Sequence, residues 1–261
     1  MIYKFCAKTD TGRARDNNED SVAVDEETRL AVLADGMGGY NAGEVASGMA
    51  TAFIKSEMSR WLTEVGSTAR AKEVRRAMEI CVDSANLSIF NAANSNASYS
   101  GMGTTLVVAV FRDDVLVLGH IGDSRCYRLR AGKLEQISRD HSLLQEQLDA
   151  GLVTPEQAQH SNIKNLVTRA LGVEEIVLLE VNEYPVELGD LYLLCSDGLS
   201  DMVQDAVIAK VVNTEGGLEH KAQLLIDAAN DHGGRDNISV LMVEVHEAAE
   251  KRSLIARLLG K

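Results

Sequence analysis

The apolar positions of this chain change period several times, and each change predicts an element. Residues 2–9 and 20–25 read as strands on either side of a polar loop at 10–19. The run Leu30–Ala34 (LAVLA) predicts a buried strand, and Asp35-Gly36-Met37-Gly38-Gly39 behind it a glycine-rich turn. Asn41 with Glu44 three residues on forms a capping arrangement for a helix to about Leu62. Ala46, Met49, Ala50, Phe53 and Ile54 are its expected buried stripe. A second helix over about 69–93 places Val74, Ala77, Met78, Cys81, Ala85, Ile89 and Ala92 at helical spacing.

After residue 100 the pattern becomes β-rich. Thr104–Phe111 and Val115–Ile121 join at Arg112-Asp113-Asp114, a hairpin signal, and Arg125–Arg130 is a strand that turns at Ala131-Gly132. Residues 141–170 are polar and weakly patterned, helical over Ser142–Ala150 and Pro155–His160, and resemble a surface excursion. Strands return at Val177–Tyr184 and Leu191–Cys195, helices at about 205–213 and 218–231, and a last strand at Ile238–Val245. Ala248–Lys261 reads as a short amphipathic, basic helix. Strands and helices come in blocks rather than in βαβ alternation, which favours antiparallel sheets with packed helices. With 2 Pro and no linker-like run, a single domain over 1–247 followed by the tail 248–261 is expected.

Composition narrows the class. The 261 residues carry 26 Lys+Arg and 39 Asp+Glu, a net charge of −13, with 45% apolar residues, as in an ordinary globular chain. That balance argues against a general nucleic-acid binder, which needs a basic face. The cysteines at 6, 81, 126 and 195 show no CxxC spacing and sit in apolar stretches, so buried free thiols in a reducing cytosol are expected. The N-terminus lacks a long apolar run, and no stretch approaches the ~20 apolar residues of a membrane span. A cytoplasmic protein without a membrane span is the expectation.

The chemistry lies in where the acids fall. Glu19-Asp20, Asp35-Gly36, Asp123, Asp197-Gly198 with Asp201, and Asp236-Asn237 all sit at a strand edge or in the loop beside it. A carboxylate at the end of a buried strand carries a desolvation cost unless a cation or donors face it. Oxygen-only ligands indicate a hard ion, Mg²⁺ or Mn²⁺. Any one Asp-Gly pair is more often a simple turn; five such places together are harder to read that way, although their convergence is not visible in sequence.

Arg15-x-x-Asn18-Glu19-Asp20, Ala34-Asp35-Gly36-Met37-Gly38-Gly39, Gly103-Thr104-Thr105, Gly122-Asp123-Ser124-Arg125, Asp140-His141-Ser142, Ser196-Asp197-Gly198-Leu199 and Asp236-Asn237-Ile238-Ser239 follow one another along the chain. In this order they resemble the type 2C metal-dependent serine/threonine phosphatases (the PPM family), in the compact form of its bacterial branch, from about residue 3 to 245. The resemblance implies an α+β fold, a four-layer α-β-β-α sandwich of two antiparallel sheets with a binuclear metal site at one end. It implies two closely placed Mn²⁺ or Mg²⁺ ions, with Asp35 bridging them. Asp197 and Asp236 would complete one ion, and the Gly36 carbonyl with Glu19 or Asp20 the other. Asp123 and Asp201 would hold a third, weaker ion, and Arg15 would grip the substrate phosphate. The implied reaction is hydrolysis of phosphoserine and phosphothreonine in proteins by a metal-activated water. The implied partners are phosphorylated proteins, a serine/threonine kinase among them, for a monomeric enzyme. Eukaryotic relatives carry a His after the Asp-Gly pair; here Met37 stands there and cannot donate a proton, so no general acid is named. Residues 141–170 correspond to the flap beside the active site.

Other residues read as structural. His141 is expected to support the excursion by hydrogen bonding, and His120 to be a satisfied buried or edge histidine. The histidines at 160, 220, 232 and 246 lack zinc-ligand spacing. Ser47 and Ser196 lie outside any GxSxG elbow, and no P-loop motif is present. Arg125 is expected to pair with the acid cluster. The tail helix, with Leu254, Ile255, Leu258 and Leu259 among basic residues, is expected to pack on its own domain or fray.

Overall fold

Short turns let neighbouring strands pair in antiparallel fashion, and most of the chain does so. A computed structural model describes residues 1–38, 42–159 and 166–248. Gly39, the Asn41 cap, His160 and the tail helix beyond Ala248 lie outside the described residues. The chain forms β1 (Ile2–Asp10), β2 (Asp20–Asp25), β3 (Leu30–Met37), α1 (Gly43–Val65) and α2 (Ala71–Ser95). There follow β4 (Gly103–Thr104), β5 (Leu106–Arg112), β6 (Val115–Ile121), β7 (Arg125–Arg130) and β8 (Lys133–Gln136). After α3 (Leu143–Asp149) and α4 (Pro155–Gln159) come β9 (Glu180–Pro185) and β10 (Leu191–Cys195). The short α5 (Asp197–Ser200), then α6 (Asp205–Val212), α7 (Leu218–Asp231) and β11 (Ile238–His246) complete it.

One sheet runs β1-β11-β10-β7-β8, the other β2-β3-β5-β6-β9 with β4 added beside the end of β3. Each pair is antiparallel. The sheets bury a common core of Tyr3, Leu33, Phe111, Tyr192, Leu194 and Val243 between them. On the outer face of one sheet α1 and α2 pack through Ile54, Met58, Val74 and Met78. On the outer face of the other, Leu199, Ile208 and Leu225 of α5, α6 and α7 do the same. Four layers result, α-β-β-α.

This layering explains the unbroken apolar run of β3. Leu30, Val32 and Ala34 face the helices, while Ala31 and Leu33 face the other sheet, so both faces are buried. The same alternation points Asp35 inward, at the end of the sandwich. Asp20 is the cross-strand partner of Asp35, and Ser196 and Ser239 continue the inward-facing sets of β10 and β11. The polar inward positions of both sheets therefore meet at one end.

Several elements differ from the expectation. Asp35 and Gly36 lie within β3, not in a turn, because β4 pairs with Gly36 and Met37 and prolongs the strand. The stripe of α1 is Ala46, Ala50, Ile54, Met58 and Leu62, with Ser47 and Thr51; Met49 and Phe53 flank it half-buried. Strand β9 starts only at Glu180, since residues 172–175 are held in a turn by the Asn86 side chain of α2. The four cysteines are buried and unpaired. No helix among the described residues is long and apolar enough to cross a membrane.

Candidate active site

Two carboxylates from one sheet and a serine hydroxyl from the other form the floor of the site. Asp20 and Asp35 are directly paired across β2 and β3, which sets their Cβ atoms about 5 Å apart. Ser196 at the end of β10 donates its hydroxyl to Asp20 Oδ2 at 2.8 Å and accepts the Ser239 backbone N–H at 2.9 Å. Among the described residues no donor reaches the buried Asp20 Oδ1.

The backbone around Asp35 is tightly fixed. Its carbonyl accepts from the Thr104 hydroxyl at 2.8 Å and the Thr105 N–H at 2.9 Å, and its N–H donates to Thr105 Oγ1 at 3.0 Å. The Gly103-Thr104-Thr105 motif thus clamps the strand that carries the acid. Gly36 is required by close approach: a Cβ there would lie 2.1 Å from the Gly43 carbonyl oxygen and 2.6 Å from that of Glu19. Gly198 is equally confined, with the Asn237 carbonyl oxygen 2.0 Å from the position of a Cβ.

Asp236-Asn237 ties down the loop before β2. Asn237 accepts the Glu19 N–H at 2.8 Å and donates to the carbonyls of Thr11 at 2.9 Å and Asn17 at 2.8 Å. Arg15, on this loop, donates from Nη2 to Asp236 Oδ2 at 2.7 Å and stays half-exposed at the mouth. Glu19 packs its carboxylate against Gly43.

The acids repel one another. Burial and then Asp20, Asp197, Asp123 and Asp236 hold the Asp35 carboxyl well above its ordinary range. Burial, then Asp123, Asp201, Asp236 and Asp20, do the same to Asp197. Asp20 is pushed up to about 6, mainly by burial. Asp123 is also raised to about 6, by burial and then by Asp140 and Asp201. Glu19 is raised as well, chiefly by burial. The structure therefore brings Asp20, Asp35, Asp123, Asp197, Asp201 and Asp236 into one electrostatic cluster, with Glu19 and Arg15 at its edge. An orphaned buried carboxylate oxygen, an oxygen-only donor set and the mutual repulsion of the acids fit a hard divalent cation of the Mg²⁺ or Mn²⁺ kind.

Beside the cluster lies an open cleft of about 710 Å³ between α3 and α6, with Asp123, Asp140, Asp197, Asp201 and Asp205 on its walls. Arg125 faces this cleft and pairs with Asp140 through three N–H···O contacts of 2.7–3.1 Å. It also donates to the Tyr127 hydroxyl, which donates to Asp205. Asp140, which sequence reading left without a role, is thus the partner of Arg125.

The histidines divide. His141 is structural: Nδ1 accepts the Gly122 N–H at 3.2 Å, so Nε2 carries the proton and donates to Glu180 Oε2 at 3.1 Å. His120 differs from the expectation of a satisfied histidine. It is 2% exposed, stacks on His141 with ring centroids 4.5 Å apart, and has no hydrogen-bond partner at either ring nitrogen among the described residues. His120, His141 and Glu180 lie close enough to suggest a metal site, but the proton on His141 Nε2 and the Arg169 guanidinium 3.3 Å from that atom oppose it. The roles of Ser196 and Asn237 were also missed. Their signals were present in sequence, a serine and an asparagine each adjoining a strand-end aspartate.

Residues 11–225 match the family model described as Protein phosphatase 2C. The chain belongs to the protein phosphatase 2C family. It is 38% identical over 240 residues to the serine/threonine phosphatase stp of Listeria innocua, covering 91% of this chain and 94% of that protein. The protein phosphatase 2C fold is equally evident in solved structures. The Mycobacterium tuberculosis serine/threonine phosphatase PstP/Ppp superposes with a TM-score of 0.87 at 36% identity, covering 95% of this chain and 100% of that one. A structure of the catalytic domain of PstP in complex with two manganese ions gives a TM-score of 0.82 at 36% identity, covering 94% and 99%.

Proposed function

We propose that this protein is a Mn²⁺- or Mg²⁺-dependent phosphoprotein phosphatase that hydrolyses phosphoserine and phosphothreonine. The observation that carries the reading is the facing pair Asp20 and Asp35, set at the mouth of the sandwich among further acids, one of which, Asp236, holds Arg15. Family membership and similarity to a PstP domain that holds two manganese ions support it.

In this reading Asp35 would serve both ions, Asp197 and Asp236 would hold one, and the Gly36 carbonyl with Glu19 or Asp20 would hold the other. Asp123 and Asp201, on the walls of the open cleft, would hold a third, weaker ion. Two divalent ions lower the pKa of a water and offset the charge of the phosphoryl group. The chain's own contribution is positioning. Thr104 and Thr105 fix the Asp35 backbone, and Ser196 orients Asp20. Asp236 aims the Arg15 guanidinium, whose remaining donors can fork to two phosphoryl oxygens. Met37 offers no proton, and His141 spends its ring nitrogens on Gly122 and Glu180, so no side chain is assigned as general acid. Residues 141–170, within the excursion between β8 and β9, are read as the flap of the site. We further place the enzyme in the cytoplasm as a monomer, since four buried unpaired thiols suit a reducing compartment. There it opposes a serine/threonine kinase.

Purified protein with Mn²⁺ is expected to release phosphate from a phosphothreonine peptide and to stop in EDTA. If metal-loaded protein is inert, or if Asp197→Ala leaves the rate unchanged, the reading fails.

A further inference from the structure

Beside the metal-site acids the surface turns apolar. A groove of about 640 Å³ is lined by Met37, Val167, Val173, Ile176 and Leu178, with Arg169 and Glu174 also on its walls. Ile176 is 76% exposed, Leu178 72% and Val173 54%, an unusual concentration of large apolar side chains on one rim.

This rim is rigidly held. The buried Asn86 of α2 accepts the Gly172 N–H at 2.7 Å and donates to the carbonyls of Glu174 and Glu175 at 3.0 Å each. Leu171 exchanges two backbone hydrogen bonds with Thr104, of 3.1 and 2.8 Å. Gly172 has φ of +81°, and a Cβ there would lie 2.3 Å from Ile89 Cγ2. Val173, Ile176 and Leu178 therefore flank a turn that is fastened to the core yet leaves them in water. Collapse onto their own domain is not open to them without breaking that anchorage.

The groove is continuous with the site. Asp35 and Met37 are two residues apart on β3, so strand alternation puts both on the same face, about 7 Å apart. The other side of the site is the cleft walled by five aspartates, which disfavour an acidic segment, with Arg125, Leu144, Leu148 and Met202 also on its walls. An extended polypeptide advances about 3.3 Å per residue, so a residue about two positions from a bound phosphoresidue reaches the groove.

We propose that the groove formed by Met37, Val173, Ile176 and Leu178 is a docking site for a large apolar side chain of the substrate polypeptide, about two residues from the phosphorylated serine or threonine. This rests on the phosphatase reading and deepens it into a sequence preference. The selecting contacts are dispersion and burial, so the preference appears in KM more than in kcat.

The test compares two phosphothreonine peptides, one with leucine flanking the phosphoresidue at about two positions on each side and one with serine there, alongside p-nitrophenyl phosphate. With Mn²⁺ the wild type is expected to show a KM about tenfold lower for the leucine peptide. Ile176→Ser with Leu178→Ser should abolish that difference and leave p-nitrophenyl phosphate turnover unchanged. Equal KM values in the wild type, or a preference that survives the double substitution, overturn the groove. A chain that self-associates in solution and becomes monomeric on the same substitution assigns the groove to a second copy, and also overturns it. If no substrate is hydrolysed, the phosphatase reading fails. The groove is then judged by anisotropy of the same labelled peptides on the metal-loaded protein, with the same expected order.

Discussion

Ser196 and Asp20 sit on different sheets and meet at the open end of the sandwich, the serine hydroxyl donating to the carboxylate at 2.8 Å. The contact joins the two sheets where both lose their apolar partners. Replacing Ser196 by alanine leaves a buried carboxylate oxygen and the Ser239 N–H without their partner. Denaturant melts of the metal-free protein are expected to show a loss of about 1–3 kcal/mol. A loss within error would mean that water serves both groups equally well.

Asn237 is expected to matter for activity more than for stability. It anchors the loop that carries Arg15 and Glu19 by three hydrogen bonds. Asn237→Ala should lower kcat/KM by about 10- to 100-fold, and trypsin should cut faster after Arg13 and Arg15. Unchanged cleavage with unchanged kcat/KM would show that the Arg13 and Ala14 N–H bonds to Gly234 hold the loop alone.

Metal and protons compete for the same acids. Asp20 and Asp123 have folded-state values of about 6, above the ordinary 3.8. The metal-free native state therefore takes up protons as pH falls through about 6, before the unfolded state does, and gains stability relative to neutral pH from these two groups. Mn²⁺ relieves the same repulsion without protons. Its stabilisation should be large at about pH 7.5 and shrink by about pH 5.5. Melting curves with Mn²⁺ and with EDTA at both values check this, and a metal gain that is independent of pH contradicts it.

His120 has the opposite sign. Burial, with His141 beside it, lowers it from 6.5 to about 4. A depressed histidine stabilises the native state above about 6.5, and that contribution is lost as pH falls toward 4 because only the unfolded state takes the proton. His120→Leu removes this loss. Relative to the wild type, the variant should gain roughly 1–2 kcal/mol between about pH 7.5 and pH 5. Parallel stability curves for the two proteins would show that folding does not depress His120 below its unfolded value.

Much of the architecture could be read from the chain because apolar periodicity and short turns report local geometry. The block order of strands and helices follows the observed sheets, and the acids at the ends of apolar runs lie where the sandwich opens. What was misread depends on partners distant in sequence. Asp35-Gly36 has the composition of a turn, but it extends a strand because Gly103–Thr104, far along the chain, pairs with it. The start of β9 is set by Asn86, whose role is invisible in its own helical pattern. His120 looks like any strand histidine, and only the fold shows that neither ring nitrogen finds a partner among the described residues. Asp140 has no signal as the partner of Arg125 until β7 and the segment behind β8 come together.

Phosphate release from a phosphothreonine peptide, titrated with Mn²⁺ for the wild type and for Asp35→Asn, tests the account most directly. Asp35 lies at the centre of the acid cluster, and the amide keeps its shape while removing its charge. The wild type should be inactive without metal and saturate with Mn²⁺. The variant should fold, bind Mn²⁺ more weakly and lose about three orders of magnitude in kcat/KM. A metal-independent wild-type rate, or an Asp35→Asn variant as active as the wild type, would contradict the account.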